Sequence, residues 1–147
     1  MLSHLDFCLQ ALLALALGAV IGLERELQNH EAGLKTNALV AFGSTLFVTM
    51  AQRFHEPDRI IAQILPGIGF LGAGMILRDG VHVRGLNTAA TLWCSAAVGT
   101  LAGSGDRISP TIAAGLIVIA NVFLRMAARK IDAIHARRTG DQSTKGQ

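Results

Sequence analysis

Five long segments without a charged residue or a histidine constrain the fold of this chain more than any other feature. They cover residues 7–23, 36–52, 60–77, 85–105 and 108–124. An α-helix needs about 17–25 mostly apolar residues to cross a hydrocarbon core of about 30 Å, and every segment meets that length. A helix of a soluble protein would instead show charges on one face every turn or two. We therefore predict an all-α membrane protein with five transmembrane helices in a compact bundle.

The basic residues of the predicted loops are divided unequally between the two sides of the membrane. Ten Lys and Arg residues fall on the side of the loops 24–35 and 78–84 and the C-terminal segment 125–147, and three fall on the other side. Because basic residues concentrate in cytoplasmic loops, we predict that the N-terminus lies outside and the C-terminus inside. The expected location is a bacterial inner (plasma) membrane, and no basic n-region indicates a cleavable signal peptide.

This asymmetry also explains the net charge of +3. Basic cytoplasmic loops meet the anionic inner leaflet, so the lipid bilayer is the expected partner of these charges. No recognition module and no basic surface with interleaved aromatic residues accompanies them. We predict no nucleic-acid partner.

The short loops indicate one domain followed by a tail. Residues 1–124 are predicted to form the five-helix transmembrane domain, because loops of two to twelve residues make consecutive helices antiparallel neighbours. Residues 125–147 form a basic cytoplasmic tail. Its polar end, from residue 139, is predicted to be partly disordered. The helical part of the tail either lies along the inner leaflet or only sets the topology.

Small residues recur every four positions in two of the segments. The stripes are Ala14, Gly18 and Gly22 in the first segment and Ser95, Gly99 and Gly103 in the fourth. Small side chains let helix backbones approach closely, which replaces the hydrophobic drive that lipid does not supply. We expect these stripes to pack inside the bundle, or in one case to form a homodimer contact.

The third segment is rich in glycine and contains a proline. Its Gly67-Ile-Gly-Phe-Leu-Gly72 run matches the dinucleotide-binding fingerprint, but no buried strand precedes it, which excludes that interpretation. Two interpretations remain open: a kinked or unwound helix that lines a cavity or pore, or a flat face for helix packing. The residues concerned are Gln63, Pro66, Gly67, Gly69, Gly72 and Gly74.

Charged residues cluster at the predicted cytoplasmic face. They are Glu24 and Arg25 in the first loop and Arg78, Asp79 and Arg84 in the second, where Asp79-Gly80 is typical of a hairpin turn. Carboxylates suit Mg²⁺, which makes Glu24 and Asp79 weak candidates for a metal site. Ordinary ion pairs between these charges are the alternative.

The uncharged segments hold polar residues but no ionisable side chain at depth, which argues against a driven transporter. Asn87 stands where a helix begins and is a candidate N-cap. Trp93 lies mid-segment and is expected to pack. No catalytic triad, zinc spacing or CxxC motif occurs, so we predict neither an enzyme nor a bound cofactor.

Four motifs in order resemble the membrane domain of the MgtC/SapB family. They are Ile-Gly-Leu-Glu-Arg-Glu at 21–26, Ala-Gly-Leu-Lys-Thr-Asn-Ala-Leu-Val at 32–40, Gly-Ile-Gly-Phe-Leu-Gly-Ala-Gly at 67–74, and Val-Arg-Gly-Leu-Asn-Thr-Ala-Ala-Thr-Leu-Trp-Cys at 83–94. Many family members carry a soluble C-terminal domain. This sequence ends about where that domain would begin, so a short form is expected.

The resemblance implies an inner-membrane virulence protein needed for growth at low Mg²⁺ and for survival inside macrophages. It also implies that Asn87 and Cys94 matter for function, that homodimers form, and that other membrane proteins such as the ATP synthase are the targets. An old name casts these proteins as magnesium transporters.

Two hypotheses follow. In the first, the chain is a small membrane regulator that docks laterally on a partner through Asn87, Thr88, Trp93, Cys94, Ser95, Gly99 and Gly103. In the second, it is a small transporter or channel for Mg²⁺ or another ion. Its path would then run along Gln63 and residues 66–74, with Glu24 or Asp79 at the cytoplasmic mouth.

Overall fold

The computed structural model of the chain describes residues 3–54, 57–79 and 82–144. In these ranges the chain forms five helices and one two-stranded hairpin. In chain order the elements are α1 (His4–Glu26), α2 (Leu34–Arg53), α3 (Pro57–Met75), β1 (Leu77–Asp79), β2 (His82–Arg84), α4 (Leu86–Gly103) and α5 (Ile108–Thr144). The predicted all-α class is confirmed.

Short polar side chains fix where two of the helices begin. Ser3 precedes α1, and its hydroxyl oxygen accepts a hydrogen bond from the backbone N–H of Asp6 at 3.1 Å. Asp106 precedes α5, and its Oδ1 accepts bonds from the backbone N–H groups of Ile108 (2.8 Å) and Ser109 (3.2 Å). Each cap satisfies donors that the first turn of a helix leaves without an intrahelical partner.

The predicted hairpin is confirmed. Strand β1 pairs antiparallel with β2, and Asp79 lies opposite His82; Gly80 lies outside the described residues. Gly85 then leads into α4 with φ of 86°, and a Cβ at this position would overlap the carbonyl oxygen of Met75. Glycine is therefore required where the hairpin turns into the helix.

Helices α1, α2 and α4 pack on one another, and α3 packs against α2 and α4. Helices α1, α2 and α4 each contribute one fully buried alanine where they meet: Ala14, Ala41 and Ala102. Such small side chains bring backbones close together, which is how helices associate when lipid surrounds them.

Helix α3 continues through the glycine-rich segment. It runs from Pro57 to Met75 with Pro66 inside it. The interpretation in which this segment unwinds is therefore wrong. The physical reason is that in apolar surroundings backbone groups must bond within the segment, which favours a helix despite the weak propensity of its glycines.

Among the described residues, three helical stretches are long and apolar enough to cross a membrane: His4–Glu26, Leu34–Arg53 and Ile108–Ile131. Helix α3 carries Asp58 and Arg59 at its N-terminal end, and polar side chains recur along α4. These stretches support a membrane protein. The count of five spans and the orientation stay predictions.

The chain divides into two units, Met1–Ile117 and Val118–Gln147. In the first unit, the beginning of α5 contributes the buried residues Pro110 and Ala114. In the second unit, large apolar side chains such as Phe123 are exposed. Helix α5 continues without a break past the predicted domain boundary at 124–125. The disorder predicted for the end of the tail stays a prediction.

Candidate functional site

The first stripe of small residues brings α1 into backbone contact with α2. A Cβ added to Gly18 would lie 2.6 Å from the carbonyl oxygen of Asn37, and one added to Gly22 would lie 2.5 Å from the Cα of Leu34. Real Cβ atoms do not come so close to other heavy atoms, so α1 has no room for a side chain at either of these two positions. Ala14, the third member, is fully buried.

The second stripe brings α4 into the same kind of contact with α2. A Cβ on Gly99 would overlap the carbonyl oxygen of Ala41, and one on Gly103 would lie 2.8 Å from the Cβ of Val48. Ser95 is fully buried. The stripe is thus occupied by another helix of the same chain, and it does not present the free face that lateral docking on a partner would need.

Polar side chains bridge these three helices along the lines of closest approach. We call this set the polar seam: Arg25, Asn37, Thr45, Gln52, Thr88 and Ser95. The cross-helix bonds are Arg25 Nη2 to Thr88 Oγ1 (2.9 Å), Ser95 Oγ to Asn37 Oδ1 (2.8 Å), Thr45 Oγ1 to the Gly99 carbonyl (2.7 Å) and Gln52 Nε2 to the Gly103 carbonyl (3.2 Å). Between uncharged groups, hydrogen bonds that join membrane helices each contribute about 0.6 kcal/mol on average and up to about 1.7 kcal/mol.

Asn37 uses its side-chain amide most fully. Its Nδ2 donates to the carbonyl oxygens of Ala32 (2.8 Å) and Gly33 (2.9 Å), while its Oδ1 accepts the bond from Ser95. Both amide hydrogens and the carbonyl oxygen are therefore bonded inside the protein. The side chain ties together the loop before α2, helix α2 itself and helix α4.

Arg25 departs from its predicted place in an exposed cytoplasmic loop. Helix α1 continues to Glu26, and Arg25 in its last turn is only 1% exposed. The prediction of a bundle without any buried ionisable group is therefore wrong. The negative end of the α1 dipole and the hydroxyl of Thr88 are two features that favour a guanidinium at this position.

The other predicted residues of α4 lie on its outer side. Asn87 is exposed and Trp93 is 50% exposed, whereas Cys94 is half-buried and carries a free thiol. Trp93 was expected to pack, but half of it remains open. Helical geometry places it on the opposite side from Ser95, close to two other exposed apolar residues of the same helix, Leu86 and Leu101.

A cleft of about 700 Å³ lies between α2 and α3, lined by one face of residues 35–47 and one face of residues 60–71. Gln63 and Gly67, two of the predicted cavity residues, line it. Lys35 lines the cleft at the N-terminal end of α2. The sequence did not predict a site at this residue.

The other residues of the glycine-rich segment lie away from this cleft. Gly72 faces α4, where a Cβ would make ordinary contact with the Cβ of Ala89 at 3.5 Å. Pro66 is exposed, and a Cβ on Gly69 or Gly74 would meet no atom within 4 Å. The segment therefore serves packing at one position and leaves open space at the others.

The structure describes four of the five residues of the predicted cytoplasmic cluster with their side chains. Glu24 is half-buried and accepts a hydrogen bond from Gln28 of its own helix end, while Arg78 and Arg84 are exposed on the hairpin. The side chain of Asp79 lies outside the described part of the chain. Among the side chains that the structure does describe, no three His, Cys, Asp or Glu residues are grouped so as to hold a metal ion.

Helical periodicity could have revealed the buried arginine. Arg25 follows Gly18 and Gly22 at spacings of seven and three, so it lies on the same face of α1 as the small residues. The Asn37–Ser95 bond and the Lys35 cleft had no such signal, because they depend on how separate helices are set against each other.

The chain is similar to curated proteins named Protein MgtC. It is 49% identical to the protein from Salmonella typhimurium strain LT2 over 138 residues (92% of this chain, 60% of that protein). It is 52% identical to the protein from Salmonella typhi over 128 residues (86% and 55%) and 45% identical to that of Brucella abortus strain 2308 over 146 residues (97% and 60%). This chain thus spans about 60% of the length of these relatives. No solved structure matches it.

The profile of the MgtC family matches residues 11–130. This range contains most of α1, all of α2 to α4, the hairpin, every residue of the polar seam and both walls of the cleft. The resemblance inferred from the four sequence motifs is confirmed, and the chain belongs to the MgtC family.

Proposed function

We propose that this chain is a multi-pass protein of the bacterial inner membrane, with five spans, the N-terminus outside and the C-terminus inside. It supports growth at low Mg²⁺ and survival inside macrophages by binding and regulating another membrane protein, such as the ATP synthase. Membership of the MgtC family supports this proposal, as do the three stretches among the described residues that are apolar enough to cross a membrane. Because the chain spans about 60% of its relatives, the proposal concerns the helical part alone.

The contrast between the two sides of α4 is the observation that carries this proposal. Thr88 and Ser95 on the inner side bond to residues of α1 and α2. On the outer side Trp93 is half exposed and Asn87 is exposed. Because the chain itself satisfies the inner polar groups, a partner in the membrane would meet the outer side, where a tryptophan supplies a large contact area at low entropic cost.

Site-specific photocrosslinking from position 93 tests this proposal in cells grown at low Mg²⁺. A crosslinking residue at position 93 is expected to capture a membrane protein, identified by mass spectrometry, whose activity then changes when this chain is removed. Position 12 is the matched control, because Leu12 is a 65% exposed apolar residue of a different helix, α1. Equal capture of the same protein from both positions would contradict docking on the outer side of α4.

A growth assay gives the same test a functional readout. We expect Trp93→Ala to reduce growth at low Mg²⁺, whereas Leu12→Ala leaves growth unchanged. Each change removes one exposed apolar side chain from a helix surface, so they differ mainly in location. A capture product with twice the mass of this chain would identify the homodimer as the complex formed on this side.

The second candidate function is that of a small transporter or channel for Mg²⁺ or another ion. The cleft between α2 and α3, with Gln63 in its wall, is the observation that favours it. The rest of the lining is largely apolar, which suits a dehydrated cation poorly. Glu24 and Asp79 would be the contacts at the mouth, and Mg²⁺ flux through purified protein is the test.

A further inference from the structure

The cleft between α2 and α3 has the length of one membrane leaflet. Its lining on α2 extends from Lys35 to Phe47, which is about 18 Å at the helical rise of about 1.5 Å per residue. Half of a hydrocarbon core of about 30 Å is about 15 Å. Along α2, a ligand that fills the cleft would thus extend from the membrane surface at Lys35 to beyond the bilayer midplane.

The cleft encloses too little volume to bury a whole helix. A volume of about 700 Å³ spread over about 18 Å gives a cross-section of about 40 Å². A helix with its side chains has a diameter of at least about 10 Å and therefore a cross-section of about 80 Å². The dimensions favour an extended hydrocarbon chain over a helix from another protein.

Two glycines keep this space open. Gly43 on α2 and Gly67 on α3 both line the cleft, and a Cβ at either position would meet no atom within 4 Å. By contrast, a Cβ added to Gly18 or Gly22 of α1, or to Gly99 of α4, would collide with backbone atoms of α2. The gap between α2 and α3 is therefore a local feature of an otherwise tightly packed group of helices.

The charge of the cleft is concentrated at one end. Lys35 is its one charged lining residue, in the first turn of α2, and Thr36 beside it adds a hydroxyl. No ion pair seen in the described part of the chain involves Lys35. The polar group of Ser44, deeper in the cleft, donates to the Val40 carbonyl of its own helix. An ammonium at the mouth and an apolar interior match a ligand with an anionic head and a hydrocarbon tail.

We propose that this cleft binds one acyl chain of an anionic phospholipid, with the headgroup against Lys35. The lipid comes from the leaflet on the side of the α2 N-terminus. Its chain lies along Gly43 and Gly67 and ends near Phe47. This site is separate from the outer side of α4 and does not depend on the proposed regulatory function.

Tryptophan quenching by brominated lipids tests the proposal. The chain has one tryptophan, so Trp93→Phe supplies a dark background. In that background, Phe47→Trp reports from the part of the α2 wall that lies furthest from Lys35. Phe70→Trp reports from an 82% exposed position on α3 that does not line the cleft. Each protein is placed in bilayers containing either phosphatidylglycerol or phosphatidylcholine brominated near the chain ends.

At position 47, we expect the anionic lipid to reach half-maximal quenching at a membrane fraction about fivefold lower than phosphatidylcholine requires. This is the factor that one basic group near a membrane surface supplies. At position 70 the two lipids should quench equally. Lys35→Gln should abolish the preference at position 47, and Lys35→Arg should keep it.

A second pair of variants tests the place of the acyl chain. Gly67→Leu fills the cleft and should reduce quenching at position 47 by both lipids. Gly69→Leu is the control, because Gly69 also has open space around it but does not line the cleft. Equal melting temperatures of the two variants establish that both fold.

Equal quenching by both lipids at position 47, or a preference that survives Lys35→Gln, would overturn the proposal. So would the absence of quenching at position 47 when position 70 is quenched, since the cleft would then be closed or occupied by protein.

Discussion

Arg25 donates a hydrogen bond of 2.9 Å from Nη2 to Oγ1 of Thr88, and both residues are buried. The bond joins the end of α1 to the first turn of α4, across 63 positions of sequence. It places a positive charge inside a protein whose uncharged segments suggested none. Removing the acceptor would take one hydrogen bond from a buried charged group, which is costly in free energy.

We therefore expect Thr88→Val to lower the free energy of unfolding by about 1.5–3 kcal/mol, the usual contribution of a hydrogen bond to a charged group. Thr91→Val is the matched control. Thr91 is equally buried, but its hydroxyl donates to the Asn87 carbonyl of its own helix, where the helical bonds remain intact. Thermal unfolding of the purified proteins checks this, and equal losses in the two variants would contradict the assigned role of Arg25.

The contact between α4 and α2 predicts that Gly99 does not tolerate even a methyl group. Gly99→Ala would force a Cβ onto the Ala41 carbonyl, and such overpacking costs about 1–3 kcal/mol or more. Gly115→Ala, where a Cβ meets no atom within 4 Å, should be neutral or slightly stabilising because alanine favours helix. Folded yield and melting temperature measure both, and an unchanged Gly99→Ala protein would refute the packing.

The bond between Asn37 and Ser95 predicts an energetic coupling between α2 and α4. Ser95→Ala should cost about 1 kcal/mol because the Oδ1 of Asn37 loses its donor. In a double-mutant cycle with Asn37→Ala, the two losses should not add. Ser44→Ala is the control, since the Ser44 hydroxyl bonds within its own helix. Additive losses for Asn37 and Ser95 would show that the bond contributes nothing.

The start of α5 predicts a pH dependence of stability. The hydroxyl of Ser109 and the backbone N–H groups of Ile108 and Ser109 hold the pKa of Asp106 below its ordinary value of about 3.9. A depressed pKa means that the stabilisation is complete above the unfolded-state value and is lost as pH falls through the folded-state value. Melting temperatures between pH 7 and pH 2 should therefore fall more steeply for the natural protein than for Asp106→Asn, which keeps a capping oxygen but does not titrate. Parallel curves would contradict the cap.

The sequence predicted those parts of the structure that depend on local pattern. The small residues Gly18, Gly22, Gly99 and Gly103 were expected to pack, and all four lie against α2. The turn at Asp79-Gly80 was expected from its residue types, and the hairpin is present. These features follow from spacing along one helix or from the conformational preferences of one turn.

Other features depend on how separate helices meet, and the sequence did not reveal them. Whether Ser95 reaches Asn37 depends on the relative rotation of α2 and α4. Whether a gap remains beside Gly67 depends on the distance between α2 and α3, which no single segment encodes. Arg25 is intermediate: its helical phase indicated burial, but its charge suggested a loop.

The central claim is that the helices act on a partner and do not themselves carry ions. Flux of Mg²⁺ and protons through purified protein in proteoliposomes tests it most directly, with Glu24→Gln and Asp79→Asn as controls. We predict flux equal to that of empty liposomes for protein that is folded and inserted. Flux above that background, lost in either variant, would contradict the account and make the chain a transporter.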